Sequence, residues 1–335
     1  MACILVCGGA GYIGSHMVRT LLAHEHTPVI FDSFVKGHLE AVPDGVSSIK
    51  GDLLDVQSLR RAFSEYCIDA VLHFAARIEV GESVIDPELY YSNNVAGSLN
   101  LLSVMREFGV NKLVFSSTAA VYGAPVQEKI KEDHPLQPIN PYGRTKLMIE
   151  QIIEDFSKAY DLNAVCLRYF NASGADSSGE IGEAHDPESH LIPNILKAAV
   201  NLDKPLQPGE KPFELHIFGN DYDTPDGTCV RDYIHVSDLC SAHLLALDYL
   251  QSFKGKAAFN LGSGSGYSIL QVLAAAERVS GKKIPYTMSP RRAGDAARLV
   301  ADSSLARSVL NWQPRFENLD TIVQTAWNWE INKKY

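Results

Sequence analysis

The sequence predicts an α/β protein: a doubly wound parallel sheet joined to a smaller α/β domain that binds substrate. Three observations carry this. Short apolar runs alternate with amphipathic stretches through the first half, the first run is apolar throughout, and the texture changes after Phe170. Strand–helix alternation places consecutive strands parallel with helices on both faces, and a strand covered on both faces has no polar side. Apolar residues make up 46% and charged residues 21% of the 335, ordinary globular values that allow a large core.

Ala2–Cys7, Thr27–Asp32, Ala70–Ala75, Lys112–Thr118 and Ala164–Phe170 read as strands. Between them Ile13, Met17, Leu21 and Leu22 keep helical spacing, as do Tyr91, Val95, Leu99, Leu102 and Met105, which run to a C-cap at Gly109. Asn140-Pro141 supplies an N-cap and a proline at the first helical position, so a helix starts there, with Ile149, Ile152, Ile153 and Phe156 on its apolar face. Beyond Phe170, Asn171–Glu188, Asp203–Lys211 (with Pro205, Pro208 and Gly209) and Asn220–Gly227 read as loops, and a helix is expected from about Ser268 to Ser280. Residues 1–170 are expected to form the first domain. Residues 171–335 form mainly the second, with part of about 229–262 returning to the first sheet.

A net charge of -10 argues against a nucleic-acid partner, which a basic face would signal. Cys3, Cys7, Cys67, Cys166, Cys229 and Cys240 form no C-x-x-C pair, and core packing is their expected role. The N-terminal apolar run is too short for a signal peptide, and no stretch reaches the ~18 apolar residues of a membrane span. A cytoplasmic, soluble chain with no membrane contact is expected. His24, His26, His185, His190, His216 and His235 show no metal-ligand spacing, so no metal site is expected.

Gly8-Gly-Ala-Gly11-Tyr12-Ile13-Gly14 follows the first strand and opens the first helix. Glycine turns tightly, admits a pyrophosphate to the backbone and lets helix pack on strand, and the helix N-terminus faces the phosphates. Asp32 ends the second strand 18 residues after Gly14, where a carboxylate accepts from ribose hydroxyls and repels a 2′-phosphate. NAD is therefore the expected cofactor. Asp52, expected to close the strand-like Ile49-Lys50-Gly51-Asp52, is a candidate for the adenine, with a surface turn acid as the alternative.

Tyr142 and Lys146 stand four residues apart at the start of the helix after Asn140, on one face. A lysine ammonium ~6 Å away in a dielectric of ~20 contributes ~2.8 kcal/mol, roughly two pKa units, toward a phenolate. Such a phenolate takes a proton from an alcohol while hydride leaves the same carbon. Thr118, at the carboxyl end of its strand, is assigned to the substrate alcohol and Ser116 to a supporting role.

Together these residues resemble the extended short-chain dehydrogenase/reductase family, and within it the UDP-glucose (UDP-galactose) 4-epimerases. The resemblance spans Gly8–Ser15, His73–Ala76, Val80–Ser83, Tyr91–Val95, Ser116–Gly123, Pro141–Lys146, Leu167–Asn171, Phe218–Tyr222, Val230–Val236, Asn260–Gly262 and Pro290–Asp295. It implies that Tyr142 deprotonates the sugar 4-hydroxyl while C4 gives hydride to NAD, the 4-keto sugar turns over, and hydride returns to the other face. It also implies that Lys146 holds the nicotinamide ribose and that Tyr12, Ile13, Leu53, Phe74, Ala75, Ala76, Asn93 and Phe170 line the cofactor. Asn171, Leu191 and Phe218 would contact a UDP-sugar, Arg231 and Arg292 its pyrophosphate, and Asp295 the uridine ribose. A homodimer through the helices near Tyr90–Phe108 and Tyr142–Tyr160 is implied as well, although sheet packing gives the same periodicity.

Several positions depart from the family pattern. Thr118 stands where serine is common, Ile78 where some members have a lysine beside the cofactor, and His190 where some have asparagine. Leu299 occupies a position that governs entry of N-acetylated sugars and is intermediate in size, which leaves that pair open. A dehydratase needs carboxylates after the active-site threonine, and Ala119 and Ala120 provide none. A 4-epimerase of another nucleotide sugar (uronic acid or pentose) and a non-catalytic NAD sensor remain as alternatives.

Overall fold

The computed structural model describes residues 1–204, 213–292 and 295–335. Pro205, Pro208 and Gly209 of the expected loop, and Ala293 and Gly294 of the arginine motif, lie outside the described residues. Seven strands form one all-parallel sheet: β1 (Cys3–Cys7), β2 (Thr27–Asp32), β3 (Ser47–Lys50), β4 (Ala70–His73), β5 (Lys112–Thr118), β6 (Asn163–Tyr169) and a seventh, Lys256–Leu261. The order β3-β2-β1-β4-β5-β6, with Lys256–Leu261 beside β6, is that of a doubly wound dinucleotide fold.

Successive residues of β1 face opposite helix layers. Ile4 and Val6 pack with Met17, Val18 and Leu21 of α1 (Tyr12–Ala23), while Leu5 and Cys7 pack toward Leu59 and Phe63 of α2 (Val56–Glu65). This double burial is why the strand carries no polar residue. After α3 (Val80–Ile85) and α4 (Pro87–Tyr90), residues Tyr91–Ala96 form a π-helical turn that leads into α5 (Gly97–Glu107). The single helix expected from Tyr91 is thus split, and Asn94 explains the split. Its buried amide accepts from Arg77 N at 2.8 Å and donates to Arg77 O and Thr145 Oγ1, a side-chain demand of the kind that widens a helical turn.

The helix at Asn140 forms as expected: α6 (Pro141–Tyr160), with the Asn140 side chain accepting from Gly143 N at 2.8 Å. The third strand ends at Lys50, short of the expected Asp52, because Gly51 turns against the Phe31 ring, which a Cβ would meet at 2.5 Å.

The smaller region packs α7 (Leu191–Asn201), α9 (Ile269–Ser280) and α11 (Leu319–Ile331) around Ile195, Leu196, Val272 and Ile322. Short strand pairs link it to the sheet: β7 (Asn171–Ser173) with β10 (Tyr233–His235), β8 (His216–Phe218) with β13 (Thr287–Ser289), and β9 (Val230–Arg231) with β12 (Tyr267–Ser268) and β14 (Arg298–Leu299). The seventh sheet strand is β11 in chain order. Before it, α8 (Val236–Tyr249) covers the sheet beside α1, and α10 (Ser304–Val309) closes the same face. The Ser268–Gln271 capping box starts α9 one residue after the expected point, and Gly281 ends it in the left-handed region.

Helix α6 is tied to the sheet by ions rather than by packing alone. Glu150, 1% exposed, accepts from Arg168 Nε at 2.9 Å and Nη2 at 2.5 Å and from Ser117 Oγ at 2.6 Å, with Lys256 at 3.5 Å. Burial pushes the carboxyl up, but Arg168 and Lys256 outweigh burial and hold it below its usual range. Removing one partner strands a buried charge, so Glu150→Gln is expected to lower unfolding free energy by about 3–5 kcal/mol. A group with a depressed folded pKa contributes fully above its unfolded pKa, ~4.3, and loses that contribution as pH falls through the folded value. Urea titrations should therefore show the gap between wild type and Glu150→Gln closing only at acid pH.

Candidate active site

The glycine turn is shaped by close backbone approach. A Cβ on Gly14 would fall 2.0 Å from Gly8 O, and one on Gly8, at φ +81, would fall 2.7 Å from Ala75 N. Only glycine lets the turn, the start of α1 and the Phe74-Ala75 segment after β4 converge. Gly11 caps α1 without a side chain, so the first-turn N–H groups, including those of Tyr12 and Ile13, stay available to an anion. Asp32 is 8% exposed at the end of β2, and its carboxylate accepts from Ala10 N at 2.9 Å and Phe34 N at 2.8 Å. Burial raises its pKa against those two bonds. Each oxygen keeps a lone pair for a hydroxyl donor. The turn, the helix end and the acid fit a dinucleotide's pyrophosphate and ribose.

The other expected cofactor residues differ in burial and contacts. Ala76 and Asn93 are half-buried; the Asn93 amide donates to Asn94 Oδ1 at 2.9 Å. Leu53 is buried against Gly97, while Asp52 is exposed with Oδ1 accepting from Leu54 N at 2.8 Å. That bond is what a turn acid makes. Phe170 and Leu299 both pack against the small core of Ala119, Val121, Tyr122 and Ile130, and Ile78 lies half-buried in the loop after β4.

Tyr142, Lys146 and Thr118 meet at the carboxyl ends of β5 and β6. Lys146 is 3% exposed and its Nζ donates to Ser116 O at 2.8 Å, 4.9 Å above the Phe115 ring. The Ser116 hydroxyl bonds to the Tyr169 phenol, and Thr118 Oγ1 accepts from Ala120 N at 3.2 Å. Burial pushes the Tyr142 phenol up to about 12, against the pull of the Thr118 hydroxyl, and Glu79 adds to the rise. Burial also lowers Lys146 to about 7, against Glu150. The sequence estimate, made with a fully charged lysine in a surface-like dielectric, had the phenol falling. Inside the protein both groups are driven toward neutrality, because low dielectric disfavours each charged form.

The expected substrate residues make their own contacts in the smaller region. Arg231 Nη2 lies 3.3 Å from Asp295 Oδ1 and its Nη1 donates to Ala296 O at 2.8 Å. The Arg292 guanidinium sits 4.0 Å above the Phe218 ring, a cation–π contact that holds it over β8. Leu299 pairs in register with Arg231. Asn171 Nδ2 donates to Asp232 O at 2.8 Å, and Leu191 opens α7.

Sequence reasoning passed over several residues that position the site. Asn94 and the Glu150–Arg168 pair carry no motif of their own. Buried Asp232 gathers Ser263 Oγ and the N–H groups of Ser263, Gly264 and Ala301, between 2.7 and 3.0 Å, fixing the strand that bears Arg231. The histidines fall into two kinds of setting. His235 is buried on Thr325 Oγ1 at 3.0 Å, but His185 and His190 stand beside Glu183 and Glu188 in a metal-ligand grouping, which the linear spacing had not suggested. The Asp186-Pro187 turn folds the segment back on itself, so its ligands meet only in three dimensions.

A doubly wound sheet in the β3-β2-β1-β4-β5-β6 order, with a glycine turn, an acid at the end of β2 and the half-buried Tyr142 with buried Lys146 over β5, defines an enzyme site of the short-chain dehydrogenase type. The chain belongs to the NAD dependent epimerase/dehydratase family, whose model matches residues 4–262. It is 50% identical over 328 residues to a UDP-glucose 4-epimerase of Streptococcus mutans, with 97% of this chain and 96% of that one covered. The crystal structure of UDP-glucose 4-epimerase from Brucella ovis in complex with NAD superposes with a TM-score of 0.91 at 46% identity, covering 98% of each chain. The Bifidobacterium longum UDP-glucose 4-epimerase with NAD+ and UDP gives 0.91 at 39% identity, covering 99% and 98%.

Removing the ribose acid tests the cradle. Asp32→Ala is expected to weaken NAD binding by about 10- to 100-fold, from roughly 1.5–3 kcal/mol per hydrogen bond to a charged group. Fluorescence titration of cofactor-stripped protein reads it, and unchanged affinity would leave Asp32 only its backbone role.

Proposed function

We propose that the chain is an NAD-dependent isomerase that interconverts UDP-glucose and UDP-galactose at the sugar's fourth carbon through a transient 4-keto sugar. The observation that carries this is the grouping of half-buried Tyr142 with buried Thr118 and Lys146, with Ala119 and Ala120 supplying no second acid or base after Thr118. When bound, NAD would supply a reversible hydride acceptor and a positively charged ring that favours the Tyr142 phenolate over the neutral phenol. Thr118 would hold the 4-hydroxyl, and the Tyr142 phenolate would accept its proton and return it after the sugar has turned. Lys146, held by Ser116 O, would orient the cofactor ribose. Arg231 and Arg292 hold the pyrophosphate with planar paired donors, Asp295 the uridine ribose, and Asn171, Leu191 and Phe218 the rest of the UDP-sugar.

The chain is further proposed to work as a homodimer. Leu99 and Phe108 in and after α5, with Met148 and Tyr160 in α6, stay about two-fifths exposed, at 41, 39, 40 and 44%, as an interface would require. All six cysteines are free thiols, which suits a reducing cytoplasm. Among the described residues no helix is long and apolar enough to cross a membrane.

Incubation with UDP-galactose and no added NAD is expected to yield UDP-glucose, followed by nucleotide-sugar chromatography; no conversion by NAD-loaded protein would defeat the assignment. Tyr142→Phe should lower kcat about 10²- to 10⁴-fold, the range of a general base, while NAD content stays unchanged. Sedimentation should give a dimer, converted to monomer by Leu99→Glu with Met148→Glu.

A further inference from the structure

Glu183, His185, Glu188 and His190 lie within eight residues of chain, between β7 and α7, and each offers one ligand atom. All four of these atoms lie within 4.8 Å of one another. The His190 Nδ1 is 2.7 Å from Glu183 Oε1 and 3.3 Å from Glu188 Oε1; the His185 Nδ1 is 3.1 Å from Glu183 Oε1 and 3.8 Å from Glu188 Oε2. These spacings straddle the ~3.4 Å edge of a tetrahedron with metal–ligand bonds of ~2.1 Å. Both carboxylate side chains are shielded, 6% exposed for Glu183 and 4% for Glu188.

The second observation concerns direction. Both Nδ1 atoms are shut off from solvent, yet neither has a hydrogen-bond partner. The carboxylate oxygens are near enough but off the ring N–H axes. Both ring nitrogens are thus left unsatisfied within 3.8 Å of two carboxylates, one of which, Glu188, also accepts from Ser189 N and His190 N at 2.9 Å. Buried ion pairs are stable only with aligned hydrogen bonds, and that alignment is missing here. An ion at the centre satisfies all four donors together.

We propose that Glu183, His185, Glu188 and His190 bind one divalent transition-metal ion, with zinc the best match to two imidazoles and two carboxylates in a four-coordinate shell. Four protein ligands leave no open position, so the ion is structural. It braces the segment that packs against the glycine turn, where the His185 ring meets Tyr12 edge-on at 6.4 Å between centroids. It also anchors the first turn of α7, which begins with Leu191 directly after His190. Tyr142 and Lys146 take no part in it.

The test uses the full chain with its cofactor. Protein expressed in zinc-supplemented medium and passed over a chelating resin is expected to hold one zinc per chain by mass spectrometry of the metal. Cobalt exchanged into chelator-treated protein is expected to show the intense visible bands of a tetrahedral site. His190→Gln and Glu183→Gln should each cut bound metal by about tenfold or more, with far-UV circular dichroism and NAD content showing that each variant folds. Zinc added back should raise the Tm of stripped wild type and leave both variants unmoved. Absence of zinc together with absence of cobalt bands overturns the proposal and leaves an ion-pair cluster. Metal retained undiminished by both folded variants also overturns it, since the ion would then sit elsewhere.

Discussion

Backbone crowding at the carboxyl end of β1 organises the molecule. With a Gly14 Cβ only 2.0 Å from Gly8 O, no side chain is tolerated where α1 folds back onto its strand. The same approach presses Gly8 against Ala75, at the point where strand order reverses between β1 and β4. A crevice opens there because the connections leave in opposite directions. Asp32, the uncapped start of α1, and the loop carrying Phe74 and Ala75 all face it for that one reason.

Burial then decides the chemistry. The medium that excludes water from Tyr142 and Lys146 raises the first to about 12 and lowers the second to about 7. Burial disfavours a desolvated charge on either side chain before ligand arrives. Ligand charge then acts in a low dielectric, where it counts for more than in water. Glu150, on the same helix as Tyr142, bonds Arg168 of β6 and Ser117 of β5 and so holds that helix against both strands, which keeps the phenol and the Ser116 carbonyl in place.

Much of the fold could be read directly because its signals are local or periodic. Asn140-Pro141, the Ser268–Gln271 box and Gly109 mark helix ends through bonds that span a few residues. The strands β1, β2 and β5 stood out as apolar runs. Tyr142, Lys146, Thr118 and the glycines were legible through spacing joined to family likeness. The π-helical turn at Tyr91–Ala96 was not, because it answers to Asn94 reaching Arg77 and Thr145, far away in the chain. Asp52 was another miss of placement, since Gly51 against Phe31 ends the strand early.

Periodicity and motif spacing by themselves determined the sheet class and marked the glycine turn, the acid at position 32 and the Tyr–Lys spacing, whose proposed roles also drew on family likeness, because each depends on neighbours within one or two elements. Tertiary structure alone decided the ionisation of that pair, the Asp232 and Glu150 networks, the meeting of Arg231 with Asp295 and of Arg292 with Phe218, and the convergence of Glu183, His185, Glu188 and His190. Desolvation and long-range contact are properties of packed volume, and a linear string of residues carries no measure of how deeply any side chain is buried.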